Sequence, residues 1–176
     1  GLTVEQAVLK AFGQIQRGET QAVTADTTFR ATGLSHTDTA LARAIGSAPE
    51  GQVVLTWTEG APIDISRLVL RSGDATLQAR ARVDGLADGF PITGRGVLNA
   101  ADLSRFAAIA QRPLSGAANL GIEGDATPLS GAFDITLAAS TTDLVVGEAR
   151  VDPLMRGRST LDMAARRDET GIVVDA

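Results

Sequence analysis

"PLSGAANLGI" runs from Pro113 to Ile122, and "PLSGAFDITL" runs from Pro128 to Leu137. The same five residues, Pro-Leu-Ser-Gly-Ala, return after fifteen positions, and each copy leads into alternating apolar residues. Catalytic motifs seldom repeat at so short a period, whereas structural units do. Aligning the copies pairs Ala118 with Phe133, Leu120 with Ile135 and Ile122 with Leu137, so the apolar phase matches throughout. A strand of about nine residues is about 30 Å long, and about six more make a reversal. The period therefore predicts one strand plus one turn per copy. Proline has no N–H to give a ladder, which suits the start of a strand. "PLMRGRSTLDM" from Pro153 is a weaker echo of the same arrangement.

The alternation continues outward in both directions. "QVVLTWTE" (52–59) puts Val53, Leu55 and Trp57 on one face and Val54, Thr56 and Thr58 on the other. "ATLQARARV" (75–83) sets Ala75, Leu77, Ala79, Ala81 and Val83 against Thr76, Gln78, Arg80 and Arg82. "AFDITLAA" (132–139) sets Phe133, Ile135, Leu137 and Ala139 against Asp134, Thr136 and Ala138, and "STLDMAAR" (159–166) sets Leu161, Met163 and Ala165 against Thr160, Asp162 and Ala164. A period of two with one apolar face predicts antiparallel strands packed on one side only. "IDISRLVL" changes phase: Ile63 and Ile65 share one parity, Leu68 and Leu70 the other. A bulge near Ser66–Arg67 reconciles them.

Turns are expected at "EGAP" (59–62), "SGD" (72–74), "DGLADGFP" (84–91) and "EGDATP" (123–128), marked by Gly and Pro. The six prolines, 49, 62, 91, 113, 128 and 153, fall at element starts or in turns and never inside an alternating run. Helices are expected at Thr3 to about Arg17, where Val4, Ala7, Val8, Ala11, Phe12 and Ile15 form an apolar stripe, with Thr3 and Gln6 as a capping box and Gly18 as the stop. A shorter helix is expected at about Asp38–Ile45, closed by Gly46, and a third at "ADLSRFAAIAQ" (101–111). "DPLMRG" (152–157) reads as a single turn with Asp152 capping and Pro153 at its first position.

The chain has 176 residues, 44% of them hydrophobic but only 3% aromatic, so small and aliphatic side chains must fill whatever interior exists. A net charge of −5 argues against nucleic-acid binding, which needs a Lys/Arg excess. With no Cys, disulfides and thiolate metal sites are excluded. No apolar run is long enough to span a bilayer as a helix. The first residues, "GLTVEQ", and the last, "GIVVDA", read as cut from a longer chain.

Catalytic chemistry is hard to assemble from these residues. His36 is the only histidine and sits in "GLSHTD" with Ser35 and Asp38 adjacent in sequence, whereas a triad draws its members from separate elements. Its plain role is at the start of a helix. "TGRG" (93–96) lacks the third glycine of a dinucleotide fingerprint and reads as a strand with close backbone approach. Asp26, Asp64, Asp74, Asp134 and Asp162 fall at turns or on polar strand faces, and "DGLADG" fails the spacing of a calcium loop. Arg80 and Arg82 lie on one strand face, where they keep an outer surface wet or touch lipid headgroups or acidic partners. These residues predict a protein that is not an enzyme and has no cofactor and no metal.

Three stretches carry a family resemblance: "ARAIGSAPEGQVVLTWTEGAPIDISRLVLRSGDATLQARARVDG", "RPLSGAANLGIEGDATPLSGAFDITLAAS" and "DPLMRGRSTLDMAARRDETG". Their order, and the grouping of a helix followed by strands, resemble the TamB family, the inner-membrane-anchored subunit of the translocation and assembly module, related to the AsmA-like and bridge-like lipid transfer proteins. The resemblance implies a mostly β fold: an elongated antiparallel sheet curled into an open trough, or β-taco, apolar inside and polar outside, with a few short helices between strand groups. It implies one elongated segment, 1–176, of a larger periplasmic protein. Its parts are a helix (1–18), a strand and short helix (19–50), a strand group plus helix (51–112), and a strand group with the PLSGA repeat (113–176). It implies movement of phospholipids between inner and outer membranes, β-barrel assembly with a TamA-like outer-membrane partner, or both. Membrane contact would come only through regions outside this segment.

On this reading the groove candidates are Val53, Leu55, Trp57, Ile63, Ile65, Leu68, Leu70, Leu77, Ala79, Ala118, Leu120, Ile122, Phe133, Ile135, Leu137, Leu161 and Met163, all on one continuous concave face and available to acyl chains. Abundant inward Ala leaves space between the walls. A second reading of the same strands is a passive repeat stalk or adhesin-like solenoid with a closed, dry core. Constant coil length would mark it; here the spacing is fifteen, then twenty-five from Pro128 to Pro153.

Overall fold

A computed structural model describes residues 2–85, 89–168 and 171–175. The chain is mostly β, with 62% of it in strands and 9% helical. Among the described residues there are twelve strands. Ten form one antiparallel sheet in the order β2 (Gln6–Gln16), β3 (Ala22–Thr32), β5 (Glu50–Thr58), β6 (Ile63–Ser72), β7 (Ala75–Val83), β8 (Ile92–Ala100), β9 (Ser115–Thr127), β10 (Ala132–Val145), β11 (Arg158–Asp168) and β12 (Gly171–Asp175). The remaining two, β1 (Leu2–Thr3) and β4 (Ser35–His36), pair with each other. Each strand of the large sheet lies beside the next one in sequence, with β4 the only interruption. Such a meander needs only short reversals, so every pairing closes a small loop at low entropic cost. The sheet does not close on itself and forms an open trough bounded by β2 and β12.

Pairing registers explain the alternation. Ile135 faces Gly124 on β9 and Ala165 on β11, while Leu137 faces Ile122 and Met163. Apolar residues therefore meet apolar residues across every strand, and a one-residue slip would turn a whole set to the other face. In β6 the register shifts between Ile65 and Leu68, so both halves of the strand present their aliphatic side chains to the same side. The bulge expected near Ser66–Arg67 is there.

Three expectations need correction. Residues 6–16 form a strand, β2, and not the first helix. The helical stripe counted Val4, Ala7, Val8, Ala11, Phe12 and Ile15, but Ala7, Leu9, Ala11, Gly13 and Ile15 also alternate, and β3 offers matching partners from Ala31 to Val23. Gly13 costs a helix about 1 kcal/mol relative to Ala. In the strand it is close-packed, since a Cβ there would sit 2.6 Å from the Thr24 carbonyl oxygen. Thr3 lies in β1, its hydroxyl hydrogen-bonded to that of Ser35, and caps nothing.

The second correction concerns "EGDATP". Glu123–Thr127 continue β9, paired on one side with β8 and on the other with β10. β9 is thus thirteen residues long, and the fifteen-residue period is this strand plus Pro113 and Leu114. The reversal uses only residues 128–131, where the Ser130 and Gly131 amides donate to the Thr127 carbonyl. Third, Asp152 does not cap a turn of helix. Its carboxylate accepts from the Val146 amide at 2.8 Å and ties the β10–β11 connection together. Residues 86–88 of the expected turn at 84–91 lie outside the described residues.

The other helices form where the sequence places them, though shorter. The carboxylate of Asp38 caps α1 (Thr39–Ile45) by accepting from the Ala40 and Leu41 amides, and the Gly46 amide donates to the Ala42 carbonyl. A 3₁₀ turn at Leu103–Phe106 leads into α2 (Ala107–Ala110). Both helical insertions sit at the same end of the strands and touch each other. The second insertion closes over a tight cluster, the one such cluster among the described residues: Ala75, Ala100, Leu103 and Ala118, with Phe106, Leu114, Leu120 and Leu144 against it. Arg105 clamps this cap to the β6–β7 turn, donating to the Ser72 carbonyl and pairing with Asp74 at 2.8 Å.

Candidate functional site

The two faces of the sheet differ sharply. Cross-strand registers place all seventeen groove candidates on one face. A row runs Leu9, Phe29, Gly51, Leu70, Leu77, Leu98, Leu120, Ala139 and Leu161. A second row holds Val53, Leu68, Ala79, Gly96, Ile122, Leu137 and Met163, and a third Leu55, Ile65, Ala81, Gly94, Gly124, Ile135 and Ala165. A fourth carries Trp57, Ile63 and Phe133. Across nine strands such a row spans roughly 38 Å. On β7–β9 the second and third rows hold small residues, Ala79, Ala81, Gly94, Gly96 and Gly124, except for Ile122, with larger side chains in the row of Leu77, Leu98 and Leu120 beside them.

This face is not a closed core. Among the described residues no large side chain is fully buried, and the buried apolar residues besides Leu103 are alanines: Ala75, Ala100, Ala118 and Ala139. Leu161 is 45% exposed and Ile122 is 43% exposed. The accessible surface is 11666 Å², where about 8,000 Å² is expected for a compact chain of this mass. The excess is what an uncovered sheet face contributes, and the closed, dry interior of the stalk reading is not formed.

The opposite face, termed the polar face for its charged side chains, also bears Val8, Val69, Val97, Ala138 and Ala164, and it carries the large recess. A hollow of about 1580 Å³ crosses the sheet, lined on β2–β3 by Lys10, Thr28 and Arg30, in the middle by Arg67, Gln78, Arg80 and Arg95, and on β9–β12 by Glu123, Thr136, Asp162 and Asp175. Five groove candidates border it: Leu68, Ala79, Ile122, Leu137 and Met163. Each lies in sequence between two polar-face residues that also border it, as Leu137 lies between Thr136 and Ala138. The expectation that the recess itself would be walled by the apolar residues is therefore not met.

The remaining candidates take structural positions. His36 accepts the Asp38 amide at its Nδ1 (2.9 Å) and sits in the small β1–β4 pair ahead of α1. Thr93–Gly96 lie within β8. Asp26 accepts from Gln52, and Asp74 pairs with Arg105. Asp102 caps the 3₁₀ turn, and hydrogen bonds from the Ser104 hydroxyl and amide hold its carboxyl below the ordinary range, with Arg105 adding to the effect. Among the described residues no group of three His, Cys, Asp or Glu side chains is arranged to hold a metal. Among the described residues no helix is long and apolar enough to cross a membrane. Comparison with known proteins finds no matching family, no matching curated protein and no matching solved structure.

Proposed function

We propose that this chain is a segment of a TamB-type apolar conduit, an elongated open sheet in the periplasm whose greasy face carries phospholipid acyl chains between membranes. The observation that carries this reading is the uncovered apolar face, continuous from β2 to β11. An apolar sheet face must be covered by a layer of protein or by a ligand. The only cover among the described residues is the helical cap at one end of the strands. Acyl chains suit the rest: they need smooth apolar contact and no fixed hydrogen bonds, and a floor of Ala and Gly leaves room for them. The two free edges suit continuation of the sheet by neighbouring segments. In this reading a TamA-like outer-membrane partner is engaged elsewhere in the protein.

The test is site-specific photo-crosslinking in cells, with a photoreactive residue at Leu137 or at Thr136, its neighbour on the polar face. Lipid adducts are expected at 137 and not at 136. Leu137→Asp and Ile135→Arg should interrupt lipid passage in the parent protein while the segment still folds, because an open face lets water reach the charge. Thr136→Asp should be silent in both assays. Adducts equally frequent at both positions, or outright unfolding by the charge at 137, would remove the basis for the conduit.

A further inference from the structure

The polar face holds an arrangement that the apolar conduit does not use. Arg80 and Arg95 stand directly opposite each other on β7 and β8, and Arg67 lies in the β6 bulge on the other flank of Arg80. Like charges directly opposite in a sheet disfavour the pairing unless something neutralises them. Among the described residues no ion pair does so for Arg80 or Arg95. The side chains of Arg80 and Arg95 make no hydrogen bond or ion pair with any described residue. Arg67 reaches only the Gln52 side-chain oxygen, at 3.5 Å. Glu123 faces Arg95 on β9 and forms no ion pair with it. Nearby acids are engaged elsewhere: Glu50 binds Arg30 at 2.7 Å, and Asp26 accepts from Gln52. All three arginines border the 1580 Å³ recess. The recess collects six Lys and Arg against four Asp and Glu, in a chain that carries 16 against 21 overall.

We propose that the Arg67–Arg80–Arg95 row is an anion site that takes a phosphate group. Each guanidinium is a planar fork of donors matched to oxyanions. Three forks in a row exceed what one carboxylate accepts, whereas a terminal phosphate offers three free oxygens. The site is on the opposite side of the sheet from the apolar rows, so it stands or falls independently of what covers them. The phosphate belongs either to a lipid headgroup or to a soluble phosphate compound.

The experiment titrates the 176-residue chain with pyrophosphate and follows the arginine Nε–H signals by NMR. The signals of Arg67, Arg80 and Arg95 should move together. Affinity should fall about tenfold or more in Arg80→Gln/Arg95→Gln and stay level in Arg112→Gln, which removes a charge from outside the recess. Where circular dichroism shows the double variant unfolded, Arg80→Lys/Arg95→Lys keeps the charge, loses the forks and should still weaken binding. Vesicles containing phosphatidic acid, whose phosphate is terminal, distinguish the sources: a response to vesicles and pyrophosphate alike assigns a headgroup, and a response to pyrophosphate alone assigns a soluble phosphate. No movement with either probe, or equal weakening by Arg112→Gln, overturns the proposal.

Discussion

Gly124 shows how much one residue decides in this sheet. It lies inside β9 with φ of +149°, and a Cβ there would run into the Asp134 carbonyl and come within 2.7 Å of the Ile135 Cα. Gly124→Ala must push β9 and β10 apart where Gly124 faces Ile135. We expect a loss of roughly 2–3 kcal/mol in urea unfolding. Asp102 makes a different kind of contribution, at the start of the cap. Because its folded pKa lies below the ordinary 3.8, its stabilisation is present above that range and is lost as pH falls through the folded value. Asn caps a helix about as well as Asp, so Asp102→Asn isolates the charge. The stability difference between the wild type and Asp102→Asn should be visible at neutral pH and should shrink toward zero as acid protonates the carboxyl.

At the scale of elements, the sheet is a chain of local hairpins, and the cap ties the β6–β7 turn to the connection after β8 through side chains. Arg105 does most of that tying. Its side chain is only 12% exposed, and it bridges from the 3₁₀ turn to Ser72 and Asp74 across the β6–β7 turn. Asp74 in turn accepts the Asp102 amide. Arg105→Ala leaves the Ser72 carbonyl without this donor and frees the cap from the sheet, and should cost about 1–3 kcal/mol in denaturant unfolding. Loosening the cap would also uncover Ala75, Ala100 and Ala118, so the variant should bind more of an apolar dye. A variant as stable as the wild type with unchanged dye binding would mean that the cap is held by Leu103 and Phe106 alone.

Over the whole molecule, stability comes from ladder hydrogen bonds and from apolar contact between neighbouring strands, without a second layer over most of the sheet. About 55% of the surface of the extended chain is removed from water, where a compact chain of this size removes about 70%. Because the denaturant m-value follows the area exposed on unfolding, it should fall below that of compact proteins of equal length. Addition of detergent micelles or lipid, which would cover the apolar face, should raise both the unfolding midpoint and protection from hydrogen exchange. An m-value typical of a compact chain of this length, together with no response to lipid, would show that the apolar face is already covered in solution.

The strand faces were legible in the sequence because a period of two is a local property. Leu77, Ile135, Leu137 and Met163 fall on one face by counting alone, and the phase change in "IDISRLVL" locates the bulge without a partner strand. Helix α1 was legible for the same reason, since Asp38 and Gly46 signal its ends to the residues beside them. Only the tertiary structure decided what depends on a neighbour. Residues 6–16 satisfy both a helical and a strand pattern, and pairing with β3 selects the strand. Glu123–Thr127 carry turn residues, and two flanking strands hold them extended. The recess and the Arg67–Arg80–Arg95 row depend on which strands are adjacent and in what register. Periodicity within one strand assigns a side chain to a face; only pairing brings it opposite another charge.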